Sequence, residues 1–233
     1  AARSVGSRHV RNMATLGGNL RLPTRCWYTN QSGNWRASRA PCWKTDGGLC
    51  HVIKTSTTCR AINSSDTAPA LLALGARLRI LSVRGEREAT LAAFYNDDGV
   101  NHTNLGRDEI ITAVLVPPAR VRTLFTKAAA RTGLDYGYGT LAAAVTGGNK
   151  AVRSACLVAG SVGSWPVVLG RAGQIIVERG LNGPAIEAAA EAAREDLGEV
   201  ANLFSPPGYK KRLVRGLVLQ VLEQLRRIKP AAD

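Results

Sequence analysis

"DTAPALLALGARLRIL", residues 66–81, decides how this chain is read, because the spacing of its apolar residues changes partway through. Asp66 stands where a helix N-cap is expected, Pro69 falls in the first turn, and Gly75 ends the helical stretch. From Arg77 the pattern alternates through "RLRILSV", which predicts a strand that turns at "RGER" and returns through "EATLAAF". A further strand is expected over 109–116 in "DEIITAVLVPP", stopped by Pro117 and Pro118. A domain boundary is expected near "PPARVR", residues 117–122.

Beyond that boundary, "LAAAVTGGNKAVRSACLVAGSV" is two apolar runs around the Gly-Gly-Asn-Lys turn at 147–150, a hairpin signal. "GPAIEAAAEAARED" reads as a helix opened by Pro184. Leu213, Leu217, Val221 and Leu225 recur every four residues beside Val214, Val218 and Leu222, which predicts an amphipathic helix with Arg and Lys on its other face. The second half is therefore expected to be strands followed by two helices, an α+β domain with few catalytic groups. Cys156, in an apolar strand, is expected to be a buried core thiol.

With 233 residues, 45% hydrophobic and 21% charged, the chain has material for a core in one large or two small domains. It has no apolar run of about 18 residues and no signal-peptide layout in "AARSVGSRHVRNM", so a soluble, cytoplasmic protein without membrane contact is expected. The sequence starts without Met, with neither a turn nor a cap signal before its first motif, which points to a fragment or a processed piece. Net charge is +14 and is unevenly spread: residues 1–60 hold ten Arg and Lys against the single acid Asp46. Such a patch suits nucleic acid, an acidic protein or an anionic cofactor. No helix-turn-helix, zinc-finger or aromatic RNA-binding signature accompanies it, which argues against nucleic acid.

Cys26, Cys42, Cys50 and Cys59 are separated by 16, 8 and 9 residues, in a stretch with little helical periodicity. So long a loop in a compact domain calls for a staple: two disulfides, a zinc ion or an iron–sulfur cluster. Disulfides need an oxidising compartment, for which there is no sign here. Zinc usually draws on close Cys pairs; none is present, although His51 beside Cys50 keeps that option open. Four widely spaced thiolates suit a 4Fe-4S cluster, with Trp27, Trp35 and Trp43 to screen it from water, although the spacing is not the ferredoxin run. Upstream, "TLGGN" places Gly17 and Gly18 where a backbone can approach a ligand, flanked by Thr15 and Asn19. Taken alone it is an ordinary glycine turn, and neither the Rossmann nor the P-loop pattern.

The order "RNMATLGGNL", "SSDTAPALLALGA", a strand ending in Pro, then "FTKAAAR" resembles the FAD-binding subunits of the molybdenum hydroxylases, the xanthine dehydrogenase family. The four-cysteine insertion, with "CWYTNQS" and "GLCHV", and the C-terminal "YKKRLVRGLV" resemble the flavin and iron–sulfur subunits of 4-hydroxybenzoyl-CoA reductases. The resemblance implies a FAD-binding subdomain over 1–119, with a 4Fe-4S insertion at about 21–64, and a flavoprotein C-terminal α+β domain over 120–233. It implies FAD contacts by Ala14, Thr15, Leu16, Gly17, Gly18 and Asn19, with Asp66 on FAD hydroxyls, Ile111 packed near the flavin and Lys127 close to the cofactor. Asp66 can serve as helix cap as well. Cys26, Cys42, Cys50 and Cys59 would ligate the cluster.

The resemblance further implies a chain that does no chemistry on the aromatic substrate. Electrons from ferredoxin would enter at the cluster, pass to FAD, and reach a molybdenum-cofactor large subunit through a 2Fe-2S small subunit, in a dimer of heterotrimers. There 4-hydroxybenzoyl-CoA would be dehydroxylated to benzoyl-CoA. The cationic segment would dock the acidic ferredoxin. The family's FAD domain begins with a further glycine-rich subdomain upstream of the part matched here. An oxidative hydroxylase of the same family and a zinc-stabilised nucleic-acid-binding module are the competing readings.

Overall fold

Capping side chains start the first helices where apolar periodicity is too short to do so. The computed structural model describes residues 1–118, 120–131, 133–198, 205–206 and 208–229. In α1 (Arg8–Met13) the Ser7 hydroxyl accepts from the Val10 N–H at 3.2 Å, and in α2 (Leu16–Leu20) the Thr15 hydroxyl accepts from the Gly18 N–H at 3.0 Å. The expectation of no cap before the first motif is thus corrected by Ser7. A third short helix, α3 (Gly33–Ala37), lies within the cysteine loop.

The opening stretch folds as read: α4 (Thr67–Ala73) ends at Gly75, whose φ of +69° suits glycine, and β1 (Arg77–Ser82) follows. The chain turns into β2 (Gly85–Thr90), makes α5 (Leu91–Phe94) and returns as β3 (Ile110–Leu115). These strands form an antiparallel sheet in the order β2-β1-β3. One face buries Leu78 and Ile80 against Leu20, Ala68, Leu91 and Phe94.

A second antiparallel sheet is a meander of β4 (Arg122–Ala128), β5 (Gly139–Gly147), β6 (Val152–Gly160) and β7 (Val167–Val168), with the expected turn between β5 and β6. Both of its faces are covered, which explains near-continuous apolar strands where alternation would mark a half-solvated sheet. Leu141, Ala143 and Val145 of β5 face a helical layer, while Ala142 and Ala144 face Ala73 of α4 on the other side. The helical layer comprises α6 (Gly170–Arg179), α7 (Gly183–Asp196) and α8 (Tyr209–Arg227).

That layer holds three helices, not the expected two. The missed one, α6, carries Gly170 and Gly173, residues of low helix propensity. A Cβ on Gly173 would lie 2.5 Å from the Ala155 carbonyl oxygen, so packing against β6 requires the residue that propensity penalises. One more expectation is corrected. Cys156 is half-buried at the edge of the α4 contact, not a core thiol. Lys210, in the first turn of α8, is 3% exposed and donates to the Ser161 carbonyl at 2.6 Å, and burial pulls its ammonium down to about 8. The stretch expected to hold the boundary includes Ala119, which lies outside the described residues. Among the described residues no helix is long and apolar enough to cross a membrane.

Candidate functional site

Thr15, Leu16, Gly17 and Gly18 line one wall of a cavity of about 570 Å³, and Ile110 to Val114 of β3 line the other. A Cβ on Gly17 would stand 3.3 Å from the Ile111 Cβ, so the glycine lets α2 lie directly against the strand. Arg21, Leu105 and Glu109 complete the lining. Asn19 turns inward instead: it is 8% exposed, and its carbonyl oxygen accepts from the hydroxyls of Ser65 at 2.8 Å and Thr67 at 2.6 Å. Ala14 is exposed at the end of α1. The fold therefore gathers Thr15, Leu16, Gly17, Gly18 and Ile111, and uses Asn19 to tie α2 to α4.

Asp66 and Lys127 meet outside that groove. The Lys127 ammonium lies 2.6 Å from one Asp66 oxygen and also donates to the Ser4 carbonyl at 3.2 Å. Their side chains are 12% and 6% exposed, lysine first, and the other Asp66 oxygen is buried without a partner among the described residues. Burial pushes the Asp66 carboxyl up, opposed by the Lys127 bond and charge. Asp66 occupies the N-cap position of α4, but its side chain caps nothing; the Ser65 hydroxyl accepts from the Ala68 N–H at 3.1 Å instead. The expected capping role is corrected accordingly: the carboxylate is engaged by the lysine.

The cysteine loop leaves and re-enters the domain at one place, where Arg25 and Ile62 exchange two backbone hydrogen bonds of 2.8 Å. Within it, Cys26, Cys42, Cys50 and Cys59 all line one small cavity. All four are free thiols, Cys50 and Cys59 buried and the other two half-buried. Burial raises the Cys26 and Cys59 thiols, with backbone N–H groups opposing it in each case. The Ile53 N–H approaches the Cys50 sulfur at 3.5 Å, and the Thr45 hydroxyl the Cys42 sulfur at 3.6 Å. A Cβ on Gly99 would come within 2.8 Å of the Cys59 sulfur.

Of the three tryptophans expected to screen this loop, only Trp43 lines the cavity. Trp27 is 41% exposed and packs edge-on to Trp35, and the Arg39 guanidinium lies over the Trp35 ring. His51 stacks on Tyr28, and its Nε2 is 2.8 Å from the Ala40 carbonyl oxygen. Among the described residues no group of three or more His, Cys, Asp or Glu side chains is placed to hold a metal ion. Residue spacing raised the loop as a candidate; Lys44, which also lines the cavity, drew no notice in a segment with ten basic residues.

A helix turn abutting an antiparallel sheet beside a groove, joined to a second sheet under three helices, makes a two-part α+β module. Residues 1–119 match the family model of the FAD binding domain in molybdopterin dehydrogenase, and residues 125–225 match the CO dehydrogenase flavoprotein C-terminal domain. The chain belongs to this family, that of the FAD-binding subunits of molybdenum hydroxylases. It is 27% identical over 240 residues to the nicotinate dehydrogenase FAD-subunit of Eubacterium barkeri, covering 97% of this chain and 66% of that one. It is 38% identical over 121 residues to the aldehyde oxidoreductase FAD-binding subunit of Escherichia coli, covering 48% of this chain and 38% of that one. Its fold matches quinoline 2-oxidoreductase from Pseudomonas putida 86 (TM-score 0.70, 20% identity) and CO dehydrogenase from Oligotropha carboxidovorans (TM-score 0.71, 19% identity). Each match covers 96% of this chain and 64% of the other, so the chain spans about two-thirds of the length of these relatives. The nucleic-acid-binding alternative is not favoured by these matches.

Proposed function

We propose that this chain is the flavin and iron–sulfur electron-transfer subunit of a molybdenum-containing reductase of the 4-hydroxybenzoyl-CoA reductase type. The observation that carries the reading is the meeting of four cysteines, spread over 34 residues of sequence, on one cavity a few residues from the glycine groove. Four thiols around a cavity, with N–H and O–H groups directed at two of the sulfurs, match the donor chemistry of a cluster. In this reading residues 1–119 form the FAD-binding subdomain, about 21–64 its insertion, and 120–233 the C-terminal domain.

Cys26, Cys42, Cys50 and Cys59 would hold a 4Fe-4S cluster. Ala14, Thr15, Leu16, Gly17, Gly18 and Asn19, with Asp66, Ile111 and Lys127, would hold FAD. When bound, FAD mediates two-electron and one-electron transfers and the cluster one-electron transfers. In the groove, the α2 backbone presents a ligand surface and Ile111 supplies an apolar wall; outside it, one buried Asp66 oxygen is left without a partner among the described residues. Cys50 and Cys59 are buried, and Trp43 lines the same cavity. The partners in this reading are a molybdenum-cofactor large subunit and a 2Fe-2S small subunit, in a cytoplasmic complex.

Ferredoxin is the proposed donor, docking on the basic segment. Among the described residues, none of the Arg and Lys between residues 1 and 54 forms an ion pair with a carboxylate, so the segment keeps its charge for a partner. The test is anaerobic isolation of the native complex, followed by metal, sulfide and flavin analysis of this subunit. Iron and sulfide with broad visible absorbance are expected together with FAD. Stoichiometric zinc without a chromophore would sink the reading.

A further inference from the structure

Two basic side chains line the thiol cavity, and they differ in how their charge is met. Arg60 pairs with Asp97 at 2.7 Å and donates to the Ser56 hydroxyl at 2.8 Å. Lys44 has no such partner: among the described residues it forms no ion pair with a carboxylate. Its half-buried ammonium donates to the Thr24 hydroxyl and, at 3.0 Å, to the Gly99 carbonyl, two neutral acceptors. Thr24 is itself 3% exposed and donates to the same Gly99 carbonyl, so the three groups form a closed brace. Asp98 accepts from the N–H groups of Val100 and Asn101 and forms no ion pair with Lys44 among the described residues.

A cation drawn out of water without a counter-charge is costly, and folds retain one where an anion offsets it. Lys44 shares the wall of this cavity with Cys26, Cys42, Cys50 and Cys59, so an anionic group held by the four sulfurs would lie beside the ammonium. We propose that Lys44 is the built-in counter-charge of the thiol cavity and sets the reduction potential of the cluster held there. This rests on the functional reading above. A cluster held by four thiolates is anionic, and reduction adds one further negative charge, so a fixed cation beside it favours the reduced form and raises the potential. The brace from Thr24 and Gly99 positions the ammonium.

The test uses the full subunit in its native complex, prepared anaerobically as wild type, Lys44→Met, Lys44→Arg and Thr24→Val. Iron and sulfide are measured first, and each sample is then titrated with dithionite while the cluster signal is followed by electron paramagnetic resonance. Lys44→Met is expected to keep its iron and shift the midpoint to a more negative potential. Lys44→Arg should stay near wild type, and Thr24→Val should move in the same direction as Lys44→Met but less. If Lys44→Met loses the cluster, Thr24→Val decides, and an unmoved midpoint there overturns the proposal. Iron-replete variants that share one midpoint also overturn this role while leaving the functional reading intact. A wild-type subunit without iron and sulfide overturns both.

Discussion

The Asp66–Lys127 pair gives the sharpest test of how this fold handles buried charge. In Asp66→Asn the Lys127 ammonium stays in place with a side chain only 12% exposed, without a counter-charge and with only neutral acceptors, the Ser4 carbonyl among them. Breaking a buried pair from one side costs roughly 3–5 kcal/mol, and the surviving acceptor puts this case near about 3. Lys127→Met should cost less, about 2 kcal/mol, because the stranded carboxyl can take up a proton instead of staying charged. Its folded-state affinity for protons is already raised by burial. For an acid raised in this way, the favourable contribution is complete below the ordinary carboxylate range and is lost as pH rises through the folded value. The deficit of Lys127→Met relative to wild type should therefore shrink as pH falls toward about 4, where the unfolded chain also protonates. The double variant Asp66→Asn, Lys127→Met removes both charges and should lie within about 1 kcal/mol of wild type, since neutral replacement of a buried pair is often neutral or stabilising. The coupling energy is then about 4 kcal/mol, read from urea midpoints at constant slope. Additive single effects, or a cost below about 0.5 kcal/mol for Asp66→Asn, would refute the reasoning.

Two further outcomes test the second domain. Gly173→Ala places a Cβ 2.5 Å from the Ala155 carbonyl, so it should destabilise by about 1–2 kcal/mol, the overpacking cost outweighing a helix-propensity gain of about 1; a raised melting temperature would contradict the packing account. Lys210, held at about 8, binds fewer protons folded than unfolded between that value and the ordinary lysine value of about 10.4, so wild-type stability should rise with pH across that window. Lys210→Met should flatten the rise and gain at most about 3 kcal/mol at neutral pH, less the lost bond to Ser161, measured by denaturant unfolding at several pH values.

Much of the fold was legible wherever one physical requirement dominated a local stretch. The helix ended by Gly75, the hairpin that follows it and the 147–150 turn all obey periods and backbone preferences that act over a few residues. What escaped involved long-range contacts. Gly173 reads as a helix breaker until the Ala155 carbonyl is placed against it. Lys210 reads as solvated until the Ser161 carbonyl takes its ammonium. The site divides in the same way: Thr15 to Gly18 and Ile111 do meet at one groove, whereas Asn19 is spent on Ser65 and Thr67, and Asp66 finds its partner 61 positions along the chain. The four cysteines stood out because they are rare and closely grouped, but one lysine among ten basic residues carried no mark of its place beside them.

The helix that opened the sequence reading explains why such distant residues meet. One face of α4 buries Ala68 with the first sheet, and its other face sets Ala73 against Ala142, Ala144 and Val158 of the second. Glycine at position 160 leaves room for this wedge: a Cβ there would lie 2.5 Å from the Pro69 ring. Pro69 is thus both a first-turn residue of α4 and part of the contact with the meander, and Asp66, one turn earlier, is delivered to Lys127 on β4. The cysteine loop is pinned from the other direction to the connection between β6 and β7, with the Asn63 N–H donating to the Gly163 carbonyl at 2.9 Å and the Ser164 hydroxyl to the Cys59 carbonyl at 3.2 Å. Shifts of the meander relative to α4 would therefore reach both the Asp66–Lys127 pair and the backbone at Cys59. A substitution that widens the seam, such as one at Gly160, is accordingly expected to disturb the two together, although neither is next to it in sequence.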